Sequence, residues 1–275
     1  MPKKKVGLAL GGGAARGLAH IGVLEVLEKG GVPIDLVAGT SAGAVVGALH
    51  ASGMSAGRMR EVAVAFDWFK RRSLVDLSMP RTGFIAGERL TREIKELMGG
   101  DLKFTQLKKP FACVACDLLS GEEAVMTRGS VADAVHASIS IPVVFQAVER
   151  GGRYLVDGGL VNEIPVNVAR AMGADYIIAV NVVPRHAYKP KAHLGELRDL
   201  PAAARPNLIN VMLGVIDIAN SCRIETCLHG ADAVIEPRML QIGPADFHKA
   251  ELAILQGEMA AVDAVLKIKR DLGMR

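Results

Sequence analysis

Along the chain, short apolar runs alternate with stretches in which apolar positions recur every three or four residues. The runs have the length of buried strands and the recurring stripes are those of helices. Val6–Leu10 predicts a first strand, and Leu18–Lys29 a helix with Ile21, Val23, Leu24 and Leu27 in its apolar stripe. Gly30 and Gly31 stop that helix. Ile34–Ala38 predicts a second strand, followed by a helix over Ala42–Ala51 whose small residues let it lie close to a sheet. Helical segments follow near 55–66 and 87–98. The stretch 108–130 reads as a strand, a turn at Ser120-Gly121 and a return strand. Val131–Ser138 reads as a short helix, and 153–159 as a strand running into a turn. Pro165 starts another helix, Gly173 stops it, and a β-branched strand follows. A long helix over 207–228, a short strand at Ala233–Ile235 and a helical tail over 248–271 complete the pattern.

Strands alternating with helices predict an α/β fold of three layers, α/β/α, with a mostly parallel central sheet covered on both faces. No repeats occur. The linker-like stretches 70–86 and 184–206 fall short of domain boundaries, so residues 1–275 read as a single domain ending in a helical region, 206–275.

Composition narrows this further. Half of the 275 residues are hydrophobic and only 4% aromatic, which suits close helix-on-sheet packing and excludes disorder. A net charge of +4, with no basic stripe interleaved with aromatics, argues against nucleic acid. No apolar stretch approaches the ~20 residues of a membrane span. The apolar run after "MPKKK" is only Val6–Leu10, which reads as a strand rather than a signal peptide. A cytoplasmic protein is expected, reaching the inner membrane face only peripherally. Cys113 and Cys116, three apart in a strand, face opposite ways. Cys222 and Cys227, five apart in the expected helix, are also separated. All four read as reduced, buried thiols.

The candidate chemistry begins at "GTSAG". Gly39 and Gly43 flank Ser41 in G-x-S-x-G spacing, between a strand and a helix. Such an elbow strains the serine backbone, lifts its hydroxyl clear of the sheet and sets it at the positive end of the next helix. A second loop, "GGGAARG" at 11–17, also joins a strand to a helix. Glycine N–H groups there could cradle a phosphate or form an oxyanion hole. The spacing of Gly11, Gly13 and Gly17 is one residue too long for the dinucleotide fingerprint, Asp35 starts its strand rather than ending it, and no P-loop lysine follows. The oxyanion reading is favoured, through the N–H groups of Gly12, Gly13 and Ala14, with Arg16 fixing the loop or adding positive potential. Both loops open at the same edge of a parallel sheet. Asp157, followed by Gly158 and Gly159, is the candidate base. A Ser–His–Asp triad through His186, His193, His229 or His248 stays open beside a dyad at this point.

These elements, in order, resemble the patatin-like phospholipase family, and within it the bacterial group similar to the catalytic domain of neuropathy target esterase. The likeness rests on "GGGAARG" with "LAHIGVLEVLEKGGVPIDLVAGTSAG", then "ASISIPVVFQAV", then "YLVDGGLVNEIPV", spanning 6 to 183, and on "PADFHKA" before the helical tail. It implies a serine lipid-acyl hydrolase with Ser41 as nucleophile and Asp157 as its sole base. Gly11, Gly12 and Gly13 would form the oxyanion hole, with Arg16 and Gly17 completing the loop. It implies no histidine, metal or cofactor, and a lipid or acyl-ester substrate. The apolar and basic residues of 66–90, Trp68, Phe69 and Arg71 among them, would suit an anionic bilayer, and 184–206 a flap over the site. The oligomeric state is left open. The alternatives from other classes are a phosphate- or nucleotide-binding module using the glycine loop, and a regulatory protein with a vestigial hydrolase site.

Overall fold

The computed structural model describes residues 4–65, 83–185 and 208–274. Among them are the strands β1 Val6–Leu10, β2 Leu36–Thr40, β3 Gly83–Ile85, β4 Phe111–Asp117, β5 Glu123–Met126, β6 Val143–Phe145, β7 Val148–Arg150, β8 Arg153–Asp157, β9 Tyr176–Val180 and β10 Ala233–Ile235. The helices are α1 Ala19–Lys29, α2 Ala42–Ser52, α3 Ala56–Ala65, α4 Glu88–Leu97, α5 Val131–Ser138, α6 Val166–Ala171, α7 Leu208–Ser221, α8 Ile224–Leu228 and α9 Ala250–Asp271.

The main sheet has eight strands. It runs β10-β9-β1-β2-β4-β8-β7, with β5 also paired to β4. From β10 to β4 every pairing is parallel. Beyond that, β4–β5, β4–β8 and β7–β8 are antiparallel. The sheet is therefore mixed: the expected parallel half is there, and a hairpin half is added to it. The small β3–β6 pair and strand β7 have no counterpart in the sequence pattern, because three-residue strands are too short to show a period.

Both faces of β9, β1, β2 and β4 are covered, which is why these strands are apolar runs rather than alternating, while the edge strand β10 leaves Val234 exposed. Side chains nevertheless divide by parity. Leu8 and Leu10 of β1 join the core beneath α1, α2 and α9, whereas Ala9 joins that beneath α6 and α8. Fully burying a leucine such as Leu8 contributes about 1.5–3 kcal/mol. Cys113 shares the first core, and Cys116, three residues on, projects to the other side. Burial pushes the Cys113 thiol up to about 12, so it stays protonated.

Three boundaries differ from expectation. Strand β2 begins at Leu36, because Asp35 is held ahead of it: its carboxylate accepts the Val6 N–H at 2.7 Å, and its own N–H donates to Val6 O at 2.8 Å. The long helix of 207–228 is two helices. Arg223 stands at the break between Ser221 and Ile224 and donates from its guanidinium to the carbonyls of Gly159 and Leu160. Cys222 sits at that break and is exposed, not buried, and Cys227 is half-buried. Within the stretch read as the linker 70–86, residues 83–85 form β3. Trp68, Phe69 and Arg71 of the expected membrane-facing stretch, and nearly all of 184–206, lie outside the described residues.

Candidate active site

The site lies where two strands run toward each other along one edge of β4. Strand β2 pairs with β4 in parallel and ends with Thr40 opposite Val114. Strand β8 pairs with it antiparallel and ends with Asp157 opposite Ala115. Strand β5 occupies the other edge. The residue after β2 and the last residue of β8 are thereby brought together, and Ser41 Oγ donates a hydrogen bond to Asp157 Oδ2 at 2.6 Å. The two are 116 residues apart in sequence.

Ser41 has φ 50° and ψ −121°, a backbone conformation that a residue with a Cβ rarely adopts. Holding it costs on the order of 1–3 kcal/mol, so the surroundings must fix it. The flanking glycines allow the approach: a Cβ on Gly43 would land on the carbonyls of Leu10 and Gly11, and one on Gly39 on the backbone of Gly43 and Ala44. Ser138, in the last turn of α5, then locks the elbow. Its hydroxyl accepts the Ser41 N–H at 2.9 Å and donates to Val114 O at 2.6 Å. Asp157 N–H is held by Ser140 O. The stretch "ASISIP" thus clamps both partners, a role that no motif spacing announced.

Asp157 is 7% exposed. Its Oδ1 accepts the Gly159 N–H at 2.8 Å, which leaves Oδ2 aimed at Ser41. Burial raises its pKa to about 6, against the pull of the hydrogen bonds from Ser41 and Gly159. Gly158 lies flat against Val114 O. Of the four histidines left open, His186 and His193 lie outside the described residues. His229 and His248 do not line the cavity at Ser41. His20 lies behind the glycine loop, its Nε2 2.8 Å from Gly11 O, and burial lowers its pKa to about 4, so it is neutral and donates.

In the glycine loop the expected N–H donors divide into occupied and open ones. Gly11 N–H donates to Val180 O and Gly12 N–H to Glu163 O, so both are already occupied. Gly13 and Ala14 both have positive φ, 137° and 50°. Their N–H groups have no acceptor among the described residues, and both residues line the cavity beside Ser41. The Ala42 N–H, first in α2, is likewise without one. Arg16 does not face Ser41. Its Nε donates to Ile242 O, and its guanidinium pairs with Asp217 at 2.7 Å. Gly17 packs onto Ala42.

Helix α7 roofs the site with Leu213, Ile216, Asp217 and Asn220. Asp217 pairs with Arg16, and Asn220 donates to Glu163 Oε2 at 2.7 Å. Glu163 is buried, and its Oε1 has no hydrogen-bond partner. Burial above all, then the neighbouring Asp157 and Asp217 carboxylates, hold its pKa well above the carboxylate range. It therefore holds its proton more tightly than an ordinary glutamate, since a second charge beside Asp157 is disfavoured. The partly open cavity beside Ser41 is about 30 Å³, room for a water molecule.

The architecture is thus that of an α/β protein with a serine on a strained strand-to-helix elbow, paired directly with a buried carboxylate. A family model described as "Patatin-like phospholipase" matches residues 8–170, and the chain belongs to that family. It is 35% identical over 285 aligned residues to an uncharacterized NTE family protein of Mycobacterium tuberculosis strain ATCC 25618 / H37Rv, covering 98% of this chain and 48% of that protein. Mouse patatin-like phospholipase domain-containing protein 6 is 38% identical over 184 residues, 64% of this chain and 13% of that one. The chain thus spans about half the length, or less, of these curated relatives. In fold it is similar to VipD from Legionella pneumophila (TM-score 0.59, 12% identity, 97% of this chain and 67% of that one) and to the type III effector ExoU (TM-score 0.51, 12% identity, 98% and 54%).

Proposed function

We propose that the chain is a serine lipid-acyl hydrolase, an ester hydrolase working through Ser41 and Asp157 without a histidine. The observation that carries this reading is the 2.6 Å hydrogen bond from Ser41 Oγ to Asp157 Oδ2, made by a serine held on an elbow beside open N–H groups. A carboxylate with a pKa near 6 is ionised at neutral pH and is a stronger base than a solvated one.

In the first half-reaction Ser41 Oγ attacks the acyl carbonyl carbon as its proton passes to Asp157 Oδ2. The carbonyl oxygen becomes an oxyanion, received by the N–H groups of Gly13 and Ala14, with that of Ala42 available on the elbow side. Collapse breaks the ester C–O bond, and Asp157 returns the proton to the leaving alcohol. In the second half-reaction water attacks the acyl-serine, gives its proton to Asp157, and the acid leaves as Ser41 regains its hydrogen. Ile141, Leu160, Leu213 and Ile216 supply the apolar walls for an acyl chain. The cavity, about 30 Å³ and open on one side, gives an acyl chain a way in beneath α7. Membership of the phospholipase family supports a lipid ester as substrate. No described helix is long and apolar enough to cross a membrane, so lipid would be met from the surface.

The nucleotide-binding alternative is disfavoured by two facts: two of the loop's N–H groups are occupied, and Asp157, Glu163 and Asp217 line the cavity. The test is turnover of a short p-nitrophenyl ester and of phospholipid vesicles. Wild type should hydrolyse the ester and Ser41→Ala should not. Alanine at each of His186, His193, His229 and His248 should leave turnover largely intact. Full activity in Ser41→Ala, or loss of activity with one of those histidines, would overturn the dyad.

A further inference from the structure

Helix α9 carries a stripe that the fold does not use. Its inner face packs on α1 so closely that a Cβ on Gly257 would land on Ala19 O. Its outer face presents Leu255, Met259, Val262 and Leu266, between 48% and 71% exposed. Their spacing of four, three and four residues forms one continuous seam along the helix, the pattern of helices that pair with another helix. Scattered exposed leucines need no explanation, but an aligned row of four on one 22-residue helix does.

The charges say what fits it. One helical turn before Leu255 stands exposed Glu251, and one turn after Leu266 stands exposed Arg270. Neither makes a side-chain ion pair among the described residues. The row Glu251, Leu255, Met259, Val262, Leu266, Arg270 reads the same in spacing from either end. Laid antiparallel on a second copy about a two-fold axis between residues 260 and 261, Leu255 meets Leu266, Met259 meets Val262, and Glu251 meets Arg270, each twice. That is the self-complementarity of a two-fold interface. Two acidic side chains stand nearest the axis, Glu258 and exposed Asp263; the two-fold brings Asp263 opposite the second copy's Glu258, whose charge is already paired with Arg60 at 2.6 Å. Beside Leu255, an open depression of about 600 Å³ between α3 and α9, lined by Val64, Arg60 and Glu61, can receive the incoming Leu266.

We infer that the outer face of α9 is a homodimer interface, in which two copies of this chain pair their α9 helices antiparallel through Leu255, Met259, Val262 and Leu266, with Glu251–Arg270 ion pairs at both ends. The helix is only about 33 Å long, so the interface sits at the small end of specific interfaces and the dimer dissociates on dilution. The inner face of the same helix packs on α1, and none of the four exposed side chains lines the cavity at Ser41.

Sedimentation velocity of the whole chain over a wide concentration range tests this. Wild type should pass from monomer to dimer as concentration rises. Leu266→Glu should raise the dissociation constant about tenfold or more, with an unchanged circular dichroism spectrum and unchanged ester turnover. Glu251→Arg and Arg270→Glu should each weaken the dimer, and the two together should restore it, because every contact is then reversed rather than broken. A chain that stays monomeric at all concentrations, a dimer indifferent to Leu266→Glu, or a double reversal that fails to restore pairing would each overturn the inference. Recruitment of a monomeric wild type to lipid vesicles through the same leucines would replace the second copy with a membrane and overturn it too.

Discussion

The floor and the roof of the cavity are built in different ways. The floor, made of the glycine loop, the Ser41 elbow and the Asp157 turn, is backbone packed on backbone: Gly43 lies on Leu10 O, and Gly158 on Val114 O. The roof, α7, is held over it by side chains, through Arg16–Asp217 and Asn220–Glu163. A backbone floor is rigid and tolerates no added atom. A roof held by a few polar contacts can be released one contact at a time. This division suits the proposed site, which must fix a nucleophile and still admit a substrate bulkier than the space beside Ser41.

Substitutions on the two sides should separate accordingly. The largest effect belongs to the floor. Gly43→Ala drives a Cβ into two carbonyls, and should cost about 4 kcal/mol or more of unfolding free energy, read by denaturant titration, together with all turnover. Gly57→Ala is its control, since a Cβ there meets nothing within 4 Å, and should be neutral or slightly stabilising. A floor that accepted Gly43→Ala without loss would contradict the packing described. On the roof, Asp217→Ala leaves Arg16 buried without its partner, a loss of about 3–5 kcal/mol when such a pair is broken. Hydrogen exchange should speed up in α7 while β1 and β2 stay protected. Equal loss of protection in floor and roof would erase the distinction.

Ser138→Ala probes the join between elbow and sheet. It removes the acceptor for Ser41 N–H and the donor to Val114 O, for about 1–3 kcal/mol. The effect should fall on kcat rather than KM, because it loosens the nucleophile and not the acyl walls. The smallest effect is that of pH. Asp157 acts as base only when ionised, so kcat/KM should rise with pH through a midpoint near about 6 and level off above it. The sign for stability is opposite. The folded protein holds the Asp157 proton more tightly than the unfolded chain does. This residue's contribution to stability is therefore fully present below the ordinary aspartate range and is lost as pH rises through about 6. Asp157→Asn should remove that fall while abolishing turnover. A wild-type rate profile flat across this range would contradict the assigned base.

The same division explains what could be read from the residues alone. The elements of the floor were legible because a glycine flanked by strand and helix signals has few uses: "GTSAG", "GGGAARG" and "DGG" each announce a backbone constraint within a few residues. The roof was not legible, because Asp217 and Asn220 reach Arg16 and Glu163 across 201 and 57 residues, and polar side chains on an apolar helix carry no local mark of their partners. In the glycine loop the residues pointed to Gly12, Gly13 and Ala14, and the resemblance to Gly11, Gly12 and Gly13. Nothing in "GGG" tells that Val180 O and Glu163 O take the first two N–H groups and leave the next two open. Glu163 could have been noticed as a charged residue inside the apolar run "LVNEIPV", the one signal for a buried carboxyl there. The mixed half of the sheet was missed where its strands are three residues long.

The central claim is that Ser41 is the nucleophile and that Asp157 activates it. Labelling with a fluorophosphonate, followed by mass measurement of the modified peptide, addresses it directly. The adduct should lie on the peptide containing Ser41, be absent in Ser41→Ala, and form far more slowly in Asp157→Asn. An adduct on another residue, or an undiminished rate of labelling in Asp157→Asn, would contradict the account.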